Sequence, residues 1–450
     1  VLLSLLFVLV YGSTNWFTAI RPASEVRTWY FPWELKLTPY VPALIVPYMS
    51  LDLLFFLAAF LCHDRREIHL FERRVIFAIL VAAGFFLAMP LKLAWPDRPQ
   101  VNGWFGHFVE ASVTAPFLME YPHNLFPALH ITLSLLVGDV YARHSRGIVR
   151  LLLVAWFVLI GLSTILTWQH HLVDLAGGWL LGVFALYLFR EPNGRLPVVA
   201  HVRVGSYYAA ACILGAVAAV ATWPWGVFLF WPTAAFGLTA LAYFGLGPGV
   251  FQKTAGRLSW SARFVLAPVF VGQHLSLVYY RWRCAAWHEL APGLLIGRML
   301  NESEAADAIR QGVTAVLDLT AEFSAPAAFR AARYRNMPVL DLTRPTSDQL
   351  REAVQFLSRE AAAGTVYLHC KVGYSRSAAV AGAYLLANRL ASTPEEAVKV
   401  LRRTRPSIII RPEALEAIRE FARERATERP GESSQSRHNR QPATISHCEP

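Results

Sequence analysis

The chain is short of charge. Only 16% of its 450 residues are Asp, Glu, Lys or Arg, while 55% are hydrophobic and the mean hydropathy is +0.37. That balance excludes a soluble protein with an ordinary polar surface and makes a membrane protein the expectation. Cysteine is scarce as well. The five present (Cys62, Cys212, Cys284, Cys370 and Cys448) lie far apart, so neither a disulfide framework nor a cysteine-based zinc site is indicated, and thiol chemistry rests on one residue at most. Acid is the rarer charge, with 31 Asp+Glu against 42 Lys+Arg, a formal charge of +11. Basic residues spread between long apolar runs suit a bilayer surface better than nucleic acid, which is not an expected partner.

Long apolar runs fill the first 250 residues. A spanning helix needs about 20 mostly apolar residues, and eight segments qualify, near Val1–Ile20, Tyr40–Cys62, Val75–Trp95, Phe126–Ala142, Leu151–Trp168, Leu172–Phe189, Ser206–Trp223 and Trp225–Leu246. The first has no basic start and no clear small-residue cleavage site, and is read as a retained helix rather than a secretory signal. Arginine sets the orientation, since basic residues near helix ends stay on the cytoplasmic side. Arg65, Arg66, Arg73 and Arg74 mark one inner loop, Arg143, Arg146 and Arg150 a second, and Arg190, Arg195 and Arg203 a third. The stretch 96–125 has Arg98 as its one basic residue and faces out, whereas the first loop, with Arg21, Arg27 and Lys36, votes the other way. The expected result is a multi-pass protein of the plasma or inner membrane, with everything after Leu246 in the cytoplasm.

Residues 1–248 are therefore expected to form an all-α membrane bundle and 249–283 an interfacial connector, in which Trp260, Phe264, Phe270, Tyr279, Tyr280 and Trp282 alternate with Lys253, Arg257, Arg263 and Arg281. Residues 284–426 read as a soluble α/β domain. Strand-like runs at Leu294–Gly297, Thr314–Leu319 and Thr365–His369 are interleaved with helical patterns at Glu302–Gln311, Ser347–Ala362, Ser377–Asn388, Pro394–Arg403 and Pro412–Ala426. From about residue 427 to 450 there is no apolar period, and a disordered tail is expected.

The most specific motif is His369-Cys370-Lys371-Val372-Gly373-Tyr374-Ser375-Arg376-Ser377, set between a strand and a helix. A strand-to-helix turn aims several backbone N–H groups and a helix N-terminus at one spot, which binds a phosphate dianion and favours the thiolate of a cysteine beneath it. Cys370 is then the nucleophile. Gly373 lets the loop wrap tightly, Arg376 grips two phosphate oxygens, and Ser377 donates to the departing thiolate. Lys371, Tyr374 and Ser375 complete the phosphate cradle. The sequence here resembles the dual-specificity, cysteine-based protein phosphatases over about Trp287–Arg425. The resemblance implies a phosphocysteine intermediate and an upstream aspartic acid that protonates the leaving oxygen. Asp341, 29 residues before Cys370, fits that place, with Asp348 the fallback. Lys371 is similar to a second cation found in phosphoinositide and mitochondrial lipid phosphatases of the same superfamily, which implies a phosphorylated lipid as substrate beside a phosphoprotein.

A second set of polar residues sits at the outer ends of the membrane segments: Lys92 and Arg98-Pro99, then Pro127-Ala128-Leu129-His130, then Ser163-Thr164 followed by His170-His171-Leu172-Val173-Asp174. Ionisable residues at apolar helix ends are functional candidates. Asp174, one helical turn after His170, can hold one imidazole nitrogen and leave the other free to attack phosphorus, with His130 as the acid. Zinc is the competing reading, but no H-E-x-x-H or cysteine partner accompanies these histidines. The arrangement resembles the type 2 phosphatidic acid phosphatase superfamily over about residues 40–190. That resemblance implies a six-helix core in which Lys92 and Arg98 bind phosphate, and the Ser-Thr…Gln-His version is similar to the inositol-phosphoceramide-synthase branch. Three departures stand out: five residues rather than six separate Lys92 from Arg98, and Ala128 and Thr164 replace a serine and an arginine. The expectation is a membrane phosphatase with two phosphoryl-handling sites and no metal or cofactor. The rival is a membrane sensor or scaffold whose outer domain only binds a lipid phosphate and regulates the inner phosphatase.

Overall fold

A computed structural model describes residues 2–22, 24–113, 123–190 and 196–427. The chain divides into two compact units, Val1–Pro192 and Asn193–Pro450. The expected tail from residue 428 and the loop residue Arg195 lie outside the described residues.

The first unit is helical: α1 (Leu2–Ala19), α2 (Glu34–Leu37), α3 (Ile45–Leu61), α4 (Arg65–Ala88), α5 (Gly103–Val113), α6 (Leu129–His144), α7 (Gly147–Leu166) and α8 (Leu172–Leu188). Its core is a stripe from α3, α4, α6 and α8, with Leu51, Phe71, Ile79, Phe86, Leu136 and Leu181 buried together. Close approach of α8 to the start of α6 depends on Gly178, where an added Cβ would lie 2.2 Å from the Ala128 carbonyl oxygen. The opposite faces of α3 and α7 expose Leu53, Phe56 and Phe60, and Leu151, Leu152 and Val158. Apolar surface of that extent fits lipid rather than water.

Among the described residues, four helical segments are long and apolar enough to cross a membrane: Pro42–Leu61, Gly147–Leu166, Val202–Ala221 and Trp225–Leu246. Leu5–Ala19 and Leu172–Leu188 are apolar but shorter. The remaining expected spans differ in their ends. The one expected from Val75 starts at Arg65, because Asp64 caps the helix by accepting from the Glu67 N–H at 2.8 Å, and the polar first turns are part of the helix. These turns hold an ion-pair cluster in which Glu67 meets Arg143 and His144, and Asp139 meets Arg74 and Arg143.

The second unit opens with two packed helices, α9 (Val202–Ala221) and α10 (Phe230–Leu241), the latter running on through a wider turn over Ala242–Leu246. The segment expected as a connector contains a small antiparallel hairpin, β1 (Lys253–Thr254) with β2 (Arg257–Leu258), then α11 (Trp260–Val265) and α12 (Ala267–Arg281). A five-stranded sheet follows, formed by β3 (Trp287–Ala291), β4 (Leu294–Gly297), β5 (Val313–Thr320), β6 (Arg333–Val339) and β7 (Thr365–His369), in the order β3-β4-β7-β5-β6. Only the β3/β4 pair is antiparallel. Strand periodicity decides the two faces. Leu317, Val366 and Leu368 point into one core with α15 (Ser347–Ala363), α16 (Ser375–Ala387), α17 (Pro394–Thr404) and α18 (Pro412–Thr427), while Val316 and Tyr367 point into the other with α13 (Glu302–Arg310) and α14 (Ala327–Ala331). The carboxyl ends of the central strands β5 and β7 open at one edge, where ligands bind in α/β sheets.

Candidate active site

Strand β7 ends at His369, and helix α16 starts at Ser375, so residues 370–374 form the turn between them. Gly373 adopts φ +72°, and a Cβ there would lie 2.4 Å from the Gly297 carbonyl oxygen, so the turn closes against β4 only with glycine. Cys370 is buried at its base, 3% exposed. Arg376, in the first turn of α16, is aimed by a fork-to-fork pair with Glu322, Nη2 to Oε1 at 2.7 Å and Nη1 to Oε2 at 3.2 Å, and donates to the Val339 carbonyl at 2.9 Å. Ser377 Oγ is buried without a hydrogen-bond partner among the described residues.

Asp341 faces this turn. Its Oδ1 takes Arg376 Nη2 at 3.0 Å and its Oδ2 takes Lys371 Nζ at 2.9 Å, while Lys371 also donates to Gln273 Oε1 on α12 at 2.8 Å. Burial alone pushes the Asp341 carboxyl up, but the charges of Arg376 and Lys371 outweigh it and hold the group down at about 2. The carboxylate is thus ionised in the free protein. Asp348 lies elsewhere, exposed in the first turn of α15 and paired with Arg351 at 2.8 Å, so the fallback acid is discarded. The Tyr374 hydroxyl meets Cys284 Sγ at 2.8 Å, and Ser375 Oγ donates to the Ile409 carbonyl at 3.0 Å. These two side chains brace the turn, which leaves their backbone N–H groups to face a phosphate.

Beneath the turn lies a buried charge that sequence reasoning missed. Asp318, on β5, accepts from Lys253 Nζ at 2.6 Å and the Tyr334 hydroxyl at 2.6 Å, with His369 Nε2 3.9 Å away. Burial opposes ionisation of Asp318, yet the Lys253 and His369 charges hold its carboxyl well below the usual range. Lys253 comes from the β1 hairpin, so the segment expected as a connector is packed into the phosphatase sheet. Glu322 was missed for the same reason: its partner is 54 residues away in sequence. The cavity above Cys370 has a volume of about 530 Å³. Arg376, Lys371 and Asp341 line its floor, and Phe236, Val269 and Tyr208 from α10, α12 and α9 form one wall.

In the first unit, His170 precedes α8 instead of lying on it, since the helix starts at Leu172 and His171 is its N-cap. His170 Nδ1 still lies 3.5 Å from Asp174 Oδ2. That oxygen also accepts from the His171 N–H at 2.9 Å, so Asp174 caps the helix. His171 is held elsewhere, its Nδ1 3.3 Å from Glu34 Oε2 and its Nε2 accepting from the Ala94 N–H at 3.1 Å. His130 stacks on Tyr48 and lies 3.1 Å from the Tyr48 carbonyl through Nε2. Arg98 donates to the Trp168 carbonyl at 3.0 Å. Lys92 is exposed.

Residues 299–424 match the family described as "Dual specificity phosphatase, catalytic domain". The human protein named "Phosphatidylglycerophosphatase and protein-tyrosine phosphatase 1" is 29% identical over 194 residues, 41% of this chain and 89% of that protein. The Arabidopsis thaliana protein named "Phosphatidylglycerophosphate phosphatase PTPMT1" is 27% identical over 151 residues, 32% of this chain and 43% of that protein, less than half its length. Among solved structures, the "Crystal Structure of PTPMT1 in complex with PI(5)P" is 26% identical, covers 32% of this chain and 99% of that one, and has a TM-score of 0.30. The chain carries, after its apolar helices, a C-terminal catalytic domain of the dual-specificity phosphatase family.

Proposed function

We propose that the chain is a multi-pass membrane phosphatase that removes the phosphate of a lipid monoester at Cys370. The Cys370 thiolate attacks phosphorus, and the bond to the leaving oxygen breaks as Asp341 delivers a proton to it. Arg376 and the backbone N–H groups of the turn hold the equatorial oxygens. Asp341 then takes a proton from the water that attacks the phosphocysteine, and inorganic phosphate leaves as Ser377 donates to the restored thiolate. The free protein holds Asp341 ionised between two cations. A substrate dianion takes over Arg376 and brings negative charge beside Asp341, so its carboxyl rises and picks up the proton it delivers. The family relationship supports phosphomonoester hydrolysis.

One observation carries the choice of lipid over phosphoprotein: the wall of the cavity is apolar and comes from α10 and α12, in the same unit as two helices of spanning length. A phosphate on a bilayer lipid arrives beside that wall, and Lys371 adds a cation for an anionic headgroup. The Arabidopsis relative is named for a lipid phosphate, and the human relative for a lipid phosphate and for phosphotyrosine. The test supplies the full-length protein with phosphatidylglycerophosphate in mixed vesicles and, separately, a phosphotyrosyl peptide. A higher kcat/KM on the peptide would sink the lipid assignment. The apolar runs support eight spans and the arginine distribution a cytoplasmic phosphatase domain, a sidedness that labelling of Asn102 and Ser434 on the same side would overturn.

A second reading concerns His130, His170 and Asp174, as a lipid phosphatase or phosphotransferase site. It is favoured by three polar atoms buried together with no hydrogen-bond partner among the described residues, His170 Nδ1, Asp174 Oδ1 and Arg98 Nε, where buried polar groups are ordinarily satisfied. In the Cys370→Ser background, His170→Ala should remove lipid phosphoryl turnover with a lipid-alcohol acceptor present, and His171→Ala should retain most of it. No turnover at all in that background favours the sensor reading.

A further inference from the structure

The peptide joining Asp341 to Leu342 is held in an unusual geometry. Leu342 adopts φ +63°, a region that a residue with a Cβ seldom occupies unless its surroundings enforce it. The Leu342 N–H donates to Asp341 Oδ1 at 3.1 Å, so this peptide itself fixes which way the carboxylate turns. Its other end is fixed from outside the matched family domain: the Tyr243 hydroxyl donates to the Asp341 carbonyl oxygen at 2.9 Å. Tyr243 lies near the end of the spanning-length segment Trp225–Leu246 and is 3% exposed. Its ring stacks on Tyr208 of α9, centroids 5.7 Å apart, which aims the hydroxyl. A second tie runs from the Tyr208 hydroxyl to the Gln273 side chain and from Gln273 to Lys371, the cation on Asp341 Oδ2.

We infer that Tyr243 is a positioning residue for the general acid: helices α9 and α10 hold the acid loop in its working geometry, and the phosphatase domain cut off from them loses acid catalysis before it loses nucleophilic attack. The inference rests on the reading of Asp341 as the acid, and it predicts a specific defect. Removing the Tyr243 hydroxyl frees the Asp341–Leu342 peptide to rotate, which misplaces the proton donor and leaves Cys370, Arg376 and the turn intact. An acid matters most when the leaving oxygen is basic and least when the phenol is already acidic.

The test uses the full-length protein in detergent with phenyl phosphate and p-nitrophenyl phosphate, so it does not depend on the natural substrate. Tyr243→Phe should lower kcat/KM, which reports ester-bond cleavage and not the later hydrolysis of the phosphocysteine, about ten-fold on phenyl phosphate and less than two-fold on p-nitrophenyl phosphate. In the Asp341→Asn background the same change should have no further effect. Equal losses of kcat/KM on the two esters would mean a general packing defect and overturn the inference, as would no loss on either. If Asp341→Asn itself fails to discriminate between the esters, the acid assignment falls, and the positioning role falls with it. A selective Asp341→Asn beside an unselective Tyr243→Phe refutes the positioning role alone.

Discussion

The cysteine and histidine centres are assembled in opposite ways. Around Cys370, the turn and the ion pairs of Arg376 and Lys371 with Asp341 converge on one cavity, and the buried Glu322 fixes Arg376. Around His170, Asp174 already caps α8, His171 is taken up by Glu34, and Arg98 donates to a carbonyl. One centre pairs its charges with one another at the mouth of a cavity, and the other has assigned most of them to holding helices. A motif's presence therefore teaches less than what its groups are doing at rest.

Several measurements would break or sharpen this contrast. The largest effect belongs to Cys370→Ser in the full-length protein, which should remove aryl phosphate hydrolysis altogether, because a neutral hydroxyl cannot replace the thiolate. Retained activity would move the chemistry to the histidine centre. Asp341→Asn should slow phenyl phosphate turnover by about 10²–10⁴, read as kcat. Next comes the charge beneath the turn. Lys253 and Asp318 are both almost fully buried, so Lys253→Met, which strands the carboxylate, should cost about 3–5 kcal/mol and lower the unfolding midpoint. The double change Lys253→Met/Asp318→Asn should recover much of that loss; a double variant no better than the single one would show that the pair is not coupled.

The smallest effect is on acid stability. Glu304 would be raised by burial, but its hydrogen bonds and the Arg298 and Arg281 charges hold it at about 2, below its ordinary 4.5. A carboxyl lowered on folding stabilises fully above the unfolded value and loses that contribution as pH falls through the folded one. The window is pH 4.5 down to about 2. Glu304→Gln should flatten the stability loss there, and an unchanged acid titration would refute the assignment.

Legibility in the sequence followed distance along the chain. The Cys370 turn and its flanking strand and helix are local, so spacing alone disclosed them, and Asp341 was within reach through the family resemblance. Glu322, Lys253, Gln273 and Tyr243 each act across 30 or more residues, and nothing in their own neighbourhoods marks them. Strand β6 was missed because its first residues alternate between exposed and half-buried without an apolar run, as an edge strand can. The span ends were misplaced where a polar turn continues an apolar helix, as at Arg65.

The hairpin lysine also has a consequence for biosynthesis. Lys253 leaves the ribosome 65 residues before Asp318, so the buried pair cannot form until β5 is made. The catalytic sheet therefore matures on an anchor laid down earlier by the nascent chain. A copy of the domain translated without that leader would complete its sheet around an unanswered carboxylate, a defect that quality control could detect before any substrate is met.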